Sequence, residues 1–143
     1  EKGYVIVGQD TDGSVTPIDL GMDWIVSKKK DFIGKRSLFR ADTARDNRKQ
    51  LVGLKTEDST VVLPEGAQLV NGFSSSRPVP MVGHVTSSYF SATLGHSIAL
   101  ALIKGGRARL GGTVYAPLLD GQLIKATITE PVFYDSDNVR QRD

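Results

Sequence analysis

Between Leu51 and Thr129 the chain is a succession of short β-prone runs, at residues 51–55, 67–70, 81–88, 97–103, 113–116 and 123–129. Turn formers separate them: Pro64-Glu65-Gly66, Gly105-Gly106, Gly111-Gly112 and Asp120-Gly121. Such residues supply the fixed or positive φ that a chain reversal needs. Six strand-length runs with almost no helical periodicity between them would, as a short open sheet, leave two unpaired edges. Closure pairs every strand on both sides. The expected fold is therefore mainly β, a six-stranded antiparallel barrel, and 143 residues hold about one domain of ordinary size.

The first 50 residues read differently. Gly3-Tyr4-Val5-Ile6-Val7-Gly8 is a β-branched run bounded by glycines and predicts a strand, with Gln9-Asp10-Thr11-Asp12-Gly13 as the turn after it. Thr16 before Pro17, with Asp19 three residues on, is a helix-start signature. From there Leu20, Trp24 and Ile25 share one helical face, which makes Trp24 a packing residue with a mostly buried ring, and Lys28-Lys29-Lys30 closes the segment. A second amphipathic stretch spans residues 32–44, with Phe32, Leu38 and Phe39 apolar and Lys35, Arg36 and Arg40 wet; Gly34 weakens its start. The expected organisation is a strand and two short helices over 1–50, the barrel over 51–135, and a frayed polar tail over 136–143.

Composition excludes several classes. Apolar residues at 39%, charged residues at 24% and a mean hydropathy of −0.18 fit neither a disordered nor a membrane-spanning chain. Glu1-Lys2-Gly3 is not a signal peptide, so a soluble, cytoplasmic protein is expected, and the missing initiator Met suggests a piece of something longer. With no cysteine and only His84 and His96, neither disulfides nor a metal centre is expected. Nine of the eighteen basic residues fall between Lys28 and Lys49 against three acids; Lys28-Lys29-Lys30 with Lys35, Arg36 and Arg40 reads first as a solvated helix end and second as a place to hold an anion. No aromatic residues interleave the lysines as a base-stacking platform requires. A nucleic-acid-binding barrel is accordingly a rival reading, and a docking domain with no ligand is a third.

Other constellations have plain readings. Asp10-Thr11-Asp12-Gly13 opens like a calcium loop, but its glycine comes early and no glutamate closes it. Lys104-Gly105-Gly106-Arg107 lacks the ending of a phosphate loop and reads as a hairpin tip, and Ser74-Ser75-Ser76-Arg77-Pro78 reads as a polar loop. His84 and His96 have no sequence neighbour that suggests a relay. Tyr89-Phe90 reads as an exposed aromatic loop fit for ligand contact.

Taken in order, Glu1-Lys2-Gly3-Tyr4, Gly8-Gln9-Asp10-Thr11-Asp12, Thr16-Pro17, Trp24-Ile25-Val26 and Lys30-Asp31-Phe32-Ile33-Gly34-Lys35 resemble the folate-dependent aminomethyltransferase family, which includes the T-protein of glycine cleavage. Leu51-Val52-Gly53-Leu54, Gly83-His84-Val85-Thr86-Ser87 and Ser91-Ala92-Thr93-Leu94-Gly95-His96 are similar to that family's C-terminal barrel. The resemblance covers nearly the whole chain. Within the family, Glu-Lys-Gly-Tyr, Gln-Asp-Thr-Asp and the run from Lys30 to Leu38 look most like the C-terminal region of heterotetrameric sarcosine oxidase alpha subunits, ahead of T-protein.

That resemblance implies residues 1–50 left over from an adjoining folate-binding domain. It implies a host enzyme that oxidises sarcosine to glycine and hydrogen peroxide, with the one-carbon unit passed to tetrahydrofolate as methylene-tetrahydrofolate, or released as formaldehyde. Tetrahydrofolate would bind at this region, with FAD, FMN and NAD elsewhere in the complex. Partners would be the rest of the alpha subunit and the other subunits, with no membrane. The family's catalytic carboxylates lie before Glu1, so no catalytic residue is expected in this chain. Residues 58–63 lack the arginine that members often carry there, and the basic run is present only as lysines. Lys28, Lys29, Lys30 and Tyr89 are the expected folate-binding residues, facing one cleft.

Overall fold

The structure is a computed structural model that describes residues 1–72 and 78–142. Of the polar loop predicted over Ser74-Ser75-Ser76-Arg77-Pro78, all but Pro78 lies outside the described residues. All six predicted strands form: β1 (Lys49–Thr56), β2 (Gln68–Val70), β3 (Met81–Ser91), β4 (His96–Lys104), β5 (Thr113–Pro117) and β6 (Leu123–Thr129). They close in the order β1-β4-β3-β2-β5-β6 with every pairing antiparallel.

Side-chain alternation along β4 organises the packing. Ala99, Ala101 and Ile103 point inward and join Val52, Leu54, Leu69, Val85, Val114 and Ile128 in the barrel core. Leu100 and Leu102 point outward with Leu51 and are covered by Val5, Val15, Leu20 and Phe133. An apolar run buried on both faces thus needs a second layer, and residues 1–20 supply it.

That layer contains no regular strand. Residues 3–8, expected as one, make only an isolated bridge between Val7 and Thr11. The helix expected from Pro17 stops after one turn. Met22 N–H donates to Pro17 C=O (2.8 Å) and Gly21 N–H to Ile18 C=O (3.1 Å), with Gly21 at φ +73°. This is a Schellman closure, which only a residue at ease with positive φ permits. A 3-10 turn, Asp23–Ile25, follows, and Trp24 stands 78% exposed, so the prediction of a buried Trp24 fails with the helix that carried it. The second predicted helix contracts to a 3-10 turn, Lys35–Phe39, entered through Gly34 at φ +95°, and Phe39 is exposed.

Two further expectations need correction. Residues 105–112 do not form a hairpin tip, because β4 pairs with β1 and β3 whereas β5 pairs with β2 and β6. The segment carries a 3-10 turn, Gly106–Arg109. Tyr89 and Phe90 lie on β3, not on a loop; the strand runs on to Ser91 against β4, leaving both rings half-exposed. The chain ends in a 3-10 turn, Val139–Gln141, tied to its start where Lys2 Nζ meets Asp135 Oδ2 (2.9 Å) and Asn138 Oδ1 (2.7 Å).

Gly53 on β1 lies against the segment that leaves β6. A Cβ there would stand 2.6 Å from both Phe133 Cζ and Thr129 Oγ1. Gly53→Ala should therefore lose about 1–3 kcal/mol by overpacking. Urea unfolding checks this, and an unchanged midpoint would contradict it.

Candidate functional site

Two buried carboxylates fix the outer layer to the barrel. Asp10 is fully buried; its Oδ2 accepts the Ile6 N–H (2.7 Å) and its Oδ1 accepts the hydroxyls of Thr86 and Ser87, the latter at 3.2 Å. Successive strand residues normally face opposite ways. The register slips between Val85 and Ser87, so a β-bulge turns both hydroxyls outward toward one carboxylate. Asp19, 3% exposed, accepts the Thr16 N–H (2.9 Å) and the Arg48 guanidinium, at 3.0 Å from Nε and 2.8 Å from Nη2. Burial raises the Asp19 pKa, but the bonds from Arg48 and Thr16 outweigh it and hold the carboxyl below the usual range.

Three concavities adjoin this scaffold, and a further one of about 550 Å³ lies away from it, between residues 64–68 and 117–120. The largest of these three, about 690 Å³, is lined by Lys28, Lys35, Arg107, Ile18, Leu38 and Phe39 among others. Lys35 turns back onto the carbonyls of Lys28 (3.4 Å) and Lys30 (3.0 Å) and onto Asp31 (3.2 Å). Arg107 reaches in from the turn after β4 and donates to Ile18 C=O (2.9 Å). The second, about 340 Å³, is lined by Lys2, Tyr4, Tyr89, Leu100 and Phe133. There burial, then the charges of Glu1 and Asp10, raise the Tyr89 hydroxyl pKa. A third, about 230 Å³, gathers Asp12, Lys49, His84 and Lys104 beside Arg48.

Lys28 and Tyr89 therefore open onto different cavities and share no cleft, and Lys29 and Lys30 line neither. An aromatic ring and positive charge do meet in the largest cavity, through Phe39 and Arg107 beside Lys28. Sequence reasoning missed both as site residues; the basic residue after Gly105-Gly106 was their one visible signal. Among the described residues no group of three or more His, Asp or Glu stands ready to hold a metal. Within the basic stretch Arg48 is tied to Asp19, Arg45 to Asp42, and Lys35 to Asp31 and the carbonyls of Lys28 and Lys30.

Residues 49–135 match the glycine cleavage T-protein C-terminal barrel domain. The chain belongs to that family. It is 49% identical, over 99% of its length, to sarcosine oxidase subunit alpha from Corynebacterium sp. strain U-96. It is 34% identical, over 94% of its length, to an aminomethyltransferase from Thermotoga petrophila. The crystal structure of glycine cleavage system aminomethyltransferase T from Bartonella henselae superposes with a TM-score of 0.72 at 25% identity, covering 90% of this chain and 34% of that one. The chain spans 15% of the Corynebacterium protein and 34% of the Thermotoga one. The closed antiparallel barrel expected of this family is the one observed.

The Asp19–Arg48 pair yields a stability prediction. Arg48→Ala leaves a buried carboxylate without its cation and should cost about 3–5 kcal/mol at pH 7. Because the folded-state pKa of Asp19 is depressed, its contribution is present above the ordinary carboxylate range and is lost as pH falls through the depressed value. Denaturant unfolding of wild type and variant across this range should show the difference shrinking toward acid pH. A gap that stays constant would contradict the pairing.

Proposed function

We propose that this chain is the C-terminal part of a sarcosine oxidase alpha-type subunit, in which it forms one wall of a tetrahydrofolate site. The similarity to sarcosine oxidase alpha subunits across 99% of the chain carries this reading. The host enzyme then oxidises sarcosine to glycine and hydrogen peroxide and delivers the one-carbon unit as methylene-tetrahydrofolate, or as formaldehyde without folate. FAD, FMN and NAD bind in other parts of that complex, which is cytoplasmic. No helix of the chain, among the described residues, is long and apolar enough to cross a membrane.

In this reading residues 1–50 belong with the neighbouring folate-binding domain, 51–135 are the barrel and 136–143 its tail. The exposure of Trp24, Ile33 and Phe39, at 78%, 105% and 76%, supports a surface made to pack against the rest of the alpha subunit or another subunit. Lys28, with Lys29 and Lys30 beside it, offers charge to the glutamate tail of folate. Tyr89 offers a ring at a second point of contact. The catalytic carboxylates come from chain before Glu1.

The test uses the intact complex. An exposed lysine–carboxylate contact contributes only about 0.2–1 kcal/mol, so replacing Lys28, Lys29 and Lys30 together by alanine should weaken folate binding by several-fold and leave sarcosine oxidation unchanged. Tyr89→Ala should weaken folate separately, because it lines another cavity. Folate affinity unchanged in both variants would overturn the site assignment. A host that transfers aminomethyl groups but oxidises no sarcosine would overturn the enzyme assignment.

A further inference from the structure

The basic stretch contains a feature that the folate reading does not use. Lys49 on β1 and Lys104 on β4 are direct cross-strand partners. The neighbouring pair carries the hydrogen bond from Gly105 N–H to Arg48 C=O (2.9 Å), so the Lys49–Lys104 pair is of the kind without hydrogen bonds, in which side chains stand closest. Like charges directly opposed across a ladder are destabilising. Both lysines share the outer face with Leu102 and with His84, the partner of Leu102 on β3, and all four line the 230 Å³ cavity. Lys49 Nζ lies 3.3 Å from His84 Nδ1, and Lys104 has no hydrogen-bond or ion-pair partner among the described residues.

We propose that this cavity, where β1, β4 and β3 meet residues 12–19, binds a free phosphate-type oxyanion through Lys49, Lys104 and His84. The donor set selects the ligand class. Arg48 and Arg45 also line the cavity, but Arg48 is bonded through all three nitrogens and Arg45 turns its Nε–Nη2 edge to Asp42, so the side-on fork that grips a carboxylate is taken in both. What remains is a set of point donors on adjacent strands, which suits an anion with several oxygens. The opposing charge is Asp12, whose Oδ1 is held by Ser14 N–H (2.7 Å) and Ser14 Oγ–H (2.6 Å) and whose carboxylate lies close enough to His84 and Lys49 to feel both charges.

Binding is linked to protonation. His84 accepts from Lys49, and burial together with the Lys49 charge holds the imidazole pKa below its ordinary value, against the pull of Asp12. Besides these, the charged groups around the imidazole are Lys104 from β4, Arg45 and Arg48 from the segment before β1, and Asp19 from the outer layer. Of the groups in the cavity, only His84 titrates ordinarily between pH 5 and 8. An arriving anion favours the imidazolium, so it is taken up with a proton, and affinity falls as pH rises.

Sulfate is the probe, since it is tetrahedral and keeps its charge from pH 5.5 to 8. Binding to the full-length protein is measured by equilibrium dialysis with labelled sulfate, ionic strength being held constant with chloride. The wild type should bind more tightly at pH 5.5 than at pH 8. Lys49→Ala and Lys104→Ala should each weaken binding about three- to five-fold, as expected of exposed charge contacts. Asp12→Asn should tighten it, and His84→Gln should flatten the pH profile. Both lysines are exposed, so their variants test the site without threatening the fold. Equal sulfate binding by the wild type and a Lys49→Ala/Lys104→Ala double variant would overturn the proposal, as would a pH profile unchanged by His84→Gln.

Discussion

Strand β4 buries side chains on both of its faces, and the rest of the structure follows from covering the outer one. Ala99, Ala101 and Ile103 are satisfied by barrel closure; Leu100 and Leu102 are not, and would otherwise face water. The covering segment has almost no regular structure, so its backbone donors need partners from outside a ladder or helix. Asp10 and Asp19 supply them, each accepting a backbone N–H of the cover while binding a barrel-side group, Thr86 and Ser87 in one case and Arg48 in the other. Apolar burial gives the cover its reason to dock, and the two carboxylates fix its position.

The functional surface is a by-product of that docking. Each of the three concavities beside the cover has one wall from the cover or the turns after it and one from the barrel or its connections: Lys28 faces Arg107, Tyr4 faces Tyr89, and Asp12 faces His84. Binding groups so placed rest on a rigid sheet on one side and on an irregular segment on the other. A site of this kind responds to whatever orders the irregular side, which in the proposed host is the remainder of the subunit.

Legibility in the sequence divides along the same line. The barrel strands were readable because short β-prone runs and Gly or Pro turns report local geometry that closure then exploits. The first 50 residues were not. Thr16, Pro17 and Asp19 do form the hydrogen bonds of a helix start, with Asp19 N–H to Thr16 Oγ1 at 3.2 Å, but Gly21 ends the turn before a second can form. Short helices depend on tertiary packing for most of their stability, and Trp24 and Phe39 find none among the described residues. Asp10 was passed over as a turn residue because its partners lie 76 and 77 positions away, on a bulge that no sequence pattern announced. Lys28 and Tyr89 were matched by chemistry and by the family resemblance, and neither says which cavity a side chain enters.

Native-state hydrogen exchange tests most directly whether the cover and barrel form one unit held by buried carboxylates. The Ile6 and Thr16 amides lie outside helix and strand, yet donate to Asp10 and Asp19. The account predicts that both are protected to a level approaching that of the β4 amides, and that Asp10→Asn lowers the protection of Ile6 well before that of β4. Exchange of Ile6 and Thr16 at unprotected rates while β4 stays protected would contradict it.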